Sequence, residues 1–180
     1  MKFASEDLIN EHLGILFGMT ILEEMVRRLN IGQQPEIDDL KSIIGFFKLF
    51  ADQCHHGKEE GLYFPSLEAA GVKNEGGPIG QMLMEHAIGR NYIALMGKSI
   101  GSQLLRHDFS DAATNYIRLL RAHIEKENNV LFKMGDQLLA ESEQARLLEA
   151  FEVFEEQVMG VGTHQHLHEM LDQFKHKYLP

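Results

Sequence analysis

The apolar positions of this chain recur every three or four residues along most of its length, which is the period of an amphipathic α-helix. The first stripe is expected to begin after a cap at Ser5 and to end near Gly32. No stretch alternates between apolar and polar residues in the manner of a strand. The fold class is therefore predicted to be all-α. The first stripe includes Leu8, His12, Ile15, Met19, Leu22 and Leu29.

Three more long helices are predicted before residue 140. The second begins near Pro35 and is expected to bend or end at Pro65, ahead of a glycine-rich connector over residues 70–78. The third covers about residues 79–104, and the fourth, capped by Asp108 or Ser110, runs to about Gly135. Four such helices with short connections predict an antiparallel up-down four-helix bundle over residues 1–140.

The last forty residues contain two shorter helical patterns. One runs over residues 143–158, and the other follows a cap at Thr163, with Gly160 and Gly162 between them. Residues 141–180 are therefore predicted to form two additional C-terminal helices. These helices are expected to pack on the bundle or to mediate a homodimer.

The chemistry is concentrated in a motif that occurs twice. His55 and Glu59 are four residues apart, as are His123 and Glu127, so each pair lies on one helix face, one turn apart. One helix earlier, a Glu-His dipeptide precedes each pair, at Glu11-His12 and Glu85-His86. The repeat places six metal-ligating side chains on the apolar stripes of four helices. These candidate ligands are His12, His55, Glu59, His86, His123 and Glu127.

A metal pair explains this repeat better than a structural role. A lone histidine on an apolar face is usually a hydrogen-bonded core residue, and a single His–Glu pair is usually a surface contact. Burying two carboxylates without compensating cations, however, would cost several kcal/mol each. Neighbouring helix axes are about 8–10 Å apart, so inward side chains can converge. Carboxylate and imidazole donors suit iron, manganese or zinc.

The charge and composition of the chain disfavour several classes of partner and location. The formal net charge of −10 argues against nucleic acid or an anionic membrane surface. No apolar run reaches the roughly 20 residues that span a bilayer. The single cysteine, Cys54, cannot form an internal disulfide, and the opening residues lead into Glu6-Asp7 without the apolar core of a secretory signal. A cytoplasmic location is therefore expected.

The motifs together resemble the hemerythrin-like HHE cation-binding proteins, and the resemblance covers about residues 5–140. It rests on Glu11-His12, His55-His56-x-Lys58-Glu59-Glu60-x-Leu62-x-Phe64-Pro65, Glu85-His86-x-x-Gly89-Arg90 and His123-Ile124-x-Lys126-Glu127.

The resemblance implies a cofactor of two iron ions, a non-haem di-iron centre with an oxo or hydroxo bridge. The four histidines would be terminal ligands and the two glutamates would bridge. Manganese or zinc would fit the same donors. The implied partner is a small molecule: O2, NO or peroxide. A binding protein is favoured over an enzyme. The alternatives are a peroxidase- or catalase-like or iron-repair enzyme, and a metal or oxygen sensor whose C-terminal helices form the partner surface.

Several residues depart from that pattern or lie beside it. Oxygen-carrying hemerythrins have a further histidine one turn after the third-helix histidine, where this chain has Arg90. Arg90 is expected to pair with a carboxylate such as Glu85 or to hydrogen-bond a bound anion. His56 lies one step round the helix from His55, in a more polar row. It is expected to hydrogen-bond a ligand, and the alternative is that His56 or Glu60 binds the metal directly where the further histidine is missing. Cys54 is expected to be a small buried residue, and His164, His166 and His168 are not expected to form a site.

Overall fold

The computed structural model describes residues 3–101 and 104–179, so Met1 and Lys2 at the start of the predicted bundle and Pro180 at the chain end lie outside it. The described residues form six helices and no strand, only an isolated β-bridge between Ile100 and Leu104. The all-α class is confirmed. The helices are α1 (Ala4–Asn30), α2 (37–69), α3 (Pro78–Ser99), α4 (106–138), α5 (Glu141–Met159) and α6 (Thr163–Tyr178).

Helices α2 and α4 change their winding near the candidate ligands. In α2, α-helical Ile37–Phe46 leads into π-helical Phe47–His56 and Glu59–Tyr63 before Phe64–Ala69. A shorter π-helical segment, Glu127–Leu131, interrupts α4. A π turn closes i→i+5 hydrogen bonds, so it is wider than an α turn and rotates successive side chains through a smaller angle. Such turns are rare and frequently occur at functional sites.

The structure corrects several predicted helix ends. Helix α1 begins at Ala4, and the Ser5 hydroxyl donates to Asp136 Oδ1 (2.6 Å) instead of capping. Pro65 does not end α2, because it falls in the first turn that follows a π-helical segment. Thr163 is the first residue of α6 rather than its cap, a position taken by Gly162 at φ +84°.

Two further starts are also corrected. Helix α2 begins at Ile37, two residues after Pro35, and α4 begins at Arg106, ahead of both predicted caps.

Two apolar clusters lie on either side of the candidate ligands. The larger cluster contains the buried apolar residues of α1 from Ile15 to Leu29, those in the first part of α2 and those in most of α4. The smaller cluster includes Leu8, Phe64 and Phe132. Along each of α1 to α4, the ligand positions fall between residues of one cluster and residues of the other. Burial of each aliphatic or aromatic side chain stabilises the fold by roughly 1.5–3 kcal/mol. The packing of the two clusters therefore fixes the position of the layer of ligand residues between them.

The two C-terminal helices pack on this arrangement. Helix α6 contacts α1, where the Arg28 guanidinium donates to the carbonyl oxygen of Tyr178 (3.0 Å). Helix α5 contacts α1 and the π-helical part of α2. At Gly57 a Cβ atom would lie 2.8 Å from Phe154 Cζ, so a larger residue there would displace the Phe154 side chain of α5. None of the helices in the described ranges is long and apolar enough to span a bilayer.

Candidate metal centre

The structure brings all six predicted ligands together in the layer between the apolar clusters. None is more than 1% exposed. Their donor atoms fall into two groups, and within each group the donors lie within 4.8 Å of one another. Glu59 belongs to both groups. The first group is His12, His55, Glu59 and Glu127, and the second is His56, Glu59, His86 and His123.

The imidazoles are arranged as two close pairs. His12 Nε2 lies 2.9 Å from His55 Nε2, and His86 Nε2 lies 3.1 Å from His123 Nε2. Metal–nitrogen bonds are about 2.0–2.1 Å long, so two nitrogens bound at right angles to one cation would lie about 3 Å apart. Each pair therefore has the spacing of two ligands on one ion.

Each carboxylate reaches both imidazole pairs. Glu59 places Oε1 3.5 Å from His55 Nε2 and Oε2 3.3 Å from His86 Nε2. Glu127 Oε2 lies 3.3 Å from His12 Nε2 and 3.2 Å from His123 Nε2. All four oxygens of these buried carboxylates have no hydrogen-bond partner among the described residues. This is the geometry that two bridging carboxylates need.

The other nitrogen of each imidazole faces an oxygen. His55 Nδ1 lies 2.8 Å from Glu11 Oε2, and His123 Nδ1 lies 2.9 Å from Glu85 Oε2. The remaining contacts are His86 Nδ1 to Glu60 Oε1 (2.7 Å) and His12 Nδ1 to Asn128 Oδ1 (2.8 Å). Because these oxygens accept, each Nδ1 carries the proton and donates, and Nε2 is left as the metal-binding atom.

Burial and close contacts shift the pKa values of both carboxylates and of His123 in this layer. Burial and the neighbouring Glu127 raise the pKa of Glu59 well above its usual range. Burial would also raise the pKa of Glu127, but His123 and His12 hold it well below the usual range. Burial opposes protonation of His123, yet Glu127 and Glu85 raise its pKa to about 9. Cations that bind in this layer would compete with protons for the Glu59 carboxylate and the His123 imidazole.

The comparisons with known proteins agree with this geometry. The family described as the hemerythrin HHE cation binding domain matches residues 4–135. The chain belongs to this hemerythrin family. The family is a cation-binding one, and the histidine–glutamate clusters of this chain could hold a metal.

Three relatives are similar over most of the chain. They are the uncharacterized proteins Mb2018 of Mycobacterium bovis and MT2051 and Rv1995 of Mycobacterium tuberculosis, each 26% identical over 167 residues. The match covers 90% of this chain and 65% of each relative, so the chain spans less than two thirds of their length. No solved structure gives a significant match.

Arg90 pairs with carboxylates in this hemerythrin-family site, as predicted, but Glu85 is not one of them. Its Nε donates to Asp52 Oδ1 and its Nη2 to Glu60 Oε1, both at 2.7 Å. His56 faces Asp52 of its predicted polar row, but it is buried, 4% exposed, and its donor atom belongs to the second donor group. Burial and the neighbouring His86 lower the pKa of His56 to about 3, so its imidazole is neutral and able to bind metal. The feature of the sequence that points to His56 as a further donor is the His55-His56 doublet.

A third group of potential donors, Glu11, Cys54 and Glu155, already surrounds a cation of the protein. Lys58 Nζ lies 2.6 Å from Glu11 Oε1 and 2.8 Å from Glu155 Oε2, and the Lys58 side chain is 1% exposed. Burial raises the pKa of Glu11 to about 6 despite Lys58, and it raises the pKa of the Cys54 thiol to about 12. This group is an ion-pair network rather than a second metal site. Sequence reasoning missed Lys58 and Glu155, because their partners are distant in the chain.

The C-terminal histidines lie next to this network. His164 Nδ1 lies 2.6 Å from Glu155 Oε1, and His164 Nε2 lies 2.8 Å from His168 Nε2, one turn further along α6. His166 is exposed on a different face. His164, His166 and His168 do not form a donor group of three among the described residues.

Proposed function

We propose that this hemerythrin-family protein is a non-haem di-iron protein that binds O2, NO or peroxide at a carboxylate-bridged iron pair. The observation that carries the proposal is the set of four buried carboxylate oxygens, on Glu59 and Glu127, that face imidazole Nε2 atoms and have no other described partner. His12 and His55 would hold one ion, and His86 and His123 the other. Manganese or zinc would fit the same donors.

The chain's own residues prepare the site in two ways. The oxygens that accept from Nδ1 fix the tautomer and orientation of each imidazole, which raises its basicity as a ligand. Apolar clusters flank the site on both sides, and the Phe132 ring stacks on His12 with centroids 5.6 Å apart. Bound iron would supply one-electron chemistry and an affinity for diatomic ligands or peroxide.

The proposed architecture is a four-helix bundle with a C-terminal extension. Helices α1 to α4 would form an antiparallel up-down four-helix bundle over residues 1–140, and residues 141–180 would be a helical extension on that bundle. The apolar clusters that flank the ligand positions along all four helices support this arrangement. A cytoplasmic location is proposed with it, on the basis of the single buried cysteine.

The test uses the full chain loaded with Fe(II) without oxygen. Elemental analysis is expected to find two iron ions per chain, and the optical spectrum is expected to change on addition of O2, azide or NO. Glu127→Ala should lose iron and the spectral response. Glu125→Ala is a matched control, because Glu125 is exposed two residues away. Iron-loaded protein that responds to none of these molecules would contradict the proposed ligand class.

A sensor function is the second candidate, and a chain of polar contacts favours it. His55 Nδ1 contacts Glu11, Glu11 contacts Lys58, and Lys58 contacts Glu155 on α5. A candidate ligand is thereby connected to the C-terminal helices that would form a partner surface. Hydrogen exchange in α5 is expected to be faster in metal-free protein than in metal-loaded protein. Equal exchange in both states would count against a sensor.

A further inference from the structure

His56 lies in the candidate metal layer although regular helical spacing turns it away from His55. Its donor atom groups with those of Glu59, His86 and His123 within 4.8 Å, and its side chain is almost fully buried. Its ring stacks on the His86 ring with centroids 3.8 Å apart. Adjacent residues of an α-helix rarely point into one site, so this placement requires a local cause.

The cause is the π-helical segment Phe47–His56, which ends at His56. Its wider turn reduces the rotation between neighbouring side chains, so that His55 and His56 both reach inward. The second half of the repeat differs here. Ile124 occupies the matching position after His123, within the regular α-helical segment Arg106–Lys126, and belongs to the apolar core. The extra imidazole therefore occurs in only one half of the site.

The surroundings of His56 follow the pattern of the other ligands. Its Nδ1 faces Asp52 Oδ1 at 3.4 Å, and Arg90 Nε holds the same oxygen at 2.7 Å. The other four imidazoles also direct Nδ1 to an oxygen. His56 Nε2 is thus left as the atom available to a cation.

Arg90 itself lies outside the donor groups. Its side chain is 40% exposed and its guanidinium is engaged by Asp52 and Glu60. Position 90 is one turn after His86, where a histidine would add a fifth imidazole. In this chain the residue at that position, Arg90, donates instead to Asp52 Oδ1, the oxygen that His56 Nδ1 faces.

We propose that His56 is a fifth imidazole ligand and that the two metal positions are unequal. One would be held by His12 and His55, and the other by His56, His86 and His123, with Glu59 and Glu127 shared. This assignment rests on the metal pair of the proposed function. It leaves one position with fewer protein donors than the other.

Proton NMR of the full chain loaded with Co(II) tests the assignment. A coordinated imidazole holds its Nδ1–H close to the paramagnetic ion, so each ligand histidine gives one strongly shifted, exchangeable signal. Five such signals are expected in the wild-type protein, and selective ¹⁵N labelling of histidine identifies them as imidazole protons. A wild-type count of four would overturn the proposal without any variant.

Substitutions then locate the fifth signal. His56→Leu is expected to remove one signal and to weaken one of the two Co(II) equivalents by more than about 10-fold, with the other retained. His107→Leu is the matched control, because His107 is 86% exposed, and all five signals should remain. If His56→Leu does not fold, His56→Gln keeps a donor toward Asp52 and should show the same loss.

The outcomes separate this assignment from the proposed function. Five signals that all persist in the His56 variants would overturn the role of His56 and leave the metal pair intact. A chain that binds no Co(II) and no Fe(II) would overturn the metal pair and, with it, the assignment.

Discussion

His55 Nδ1 lies 2.8 Å from Glu11 Oε2, and Glu11 directly precedes another candidate ligand, His12. The repeat provides the same contact between His123 and Glu85, which precedes His86. The glutamate of each Glu-His dipeptide thus orients the histidine of the next helix. Helix packing and ligand orientation are therefore set by the same contacts, so changes in one should be measurable in the other.

Metal addition is expected to stabilise the fold. A ligand that binds only the native state at 100 times its Kd adds about 2.7 kcal/mol. For a chain of this size the added free energy raises Tm by roughly 5–10 °C. Calorimetry of chelator-stripped and Fe(II)-loaded protein measures the shift. Glu127→Ala should show none, and an equal shift in that variant would place the bound metal elsewhere.

Removal of an unpartnered carboxylate should stabilise the metal-free protein. Glu59→Leu eliminates a buried carboxyl whose oxygens have no described hydrogen-bond partner, and such a group costs about 1–3 kcal/mol. The free energy of unfolding in urea with a chelator should rise by about that amount, while metal binding is lost.

Glu60→Leu provides the comparison for Glu59→Leu, because Glu60 accepts hydrogen bonds from His86 and Arg90. Its loss should lower the free energy of unfolding. A metal-free Glu59→Leu variant less stable than the wild type would show that Glu59 supports the fold rather than a cation.

Lys58 and Lys126 occupy matching positions in the two halves of the repeat, but their substitution should affect stability differently. Lys58 is 1% exposed between Glu11 and Glu155, whereas Lys126, its counterpart beside Glu85, is 44% exposed. Lys58→Met leaves the buried Glu11 carboxylate and the partly exposed Glu155 carboxylate without their counterion and should cost about 3–5 kcal/mol. Lys126→Met should cost at most about 1 kcal/mol. Similar losses in urea unfolding would mean that burial by α5 does not distinguish the two ion pairs.

Arg90 should be dispensable for metal stoichiometry. Its half-exposed guanidinium is engaged by Asp52 and Glu60, so Arg90→Leu should lower the free energy of unfolding by at most about 1 kcal/mol. Two iron ions should still bind, and the optical response to azide should be unchanged. A weakened azide response would favour the alternative in which Arg90 hydrogen-bonds a bound anion.

The all-α class and the convergence of six side chains were predictable from sequence because both follow from local periodicity. A 3.6-residue stripe identifies the buried face of a helix without knowledge of its neighbours. His12, His55, Glu59, His86, His123 and Glu127 all fall on such stripes. The internal repeat then indicated that they share one site, and the structure brings them together.

His56 and Lys58 were not predictable in this way. Periodicity assumes a regular α-helix, and the π-helical winding of α2 rotates His56 into the site. Lys58 is buried by Glu155, which lies 97 positions further along the chain. Helical stripes, and hence the candidate ligands, were determined by the sequence alone. The winding of α2 and the partners of Lys58 and Arg90 were decided only by tertiary packing, because they depend on contacts between distant helices.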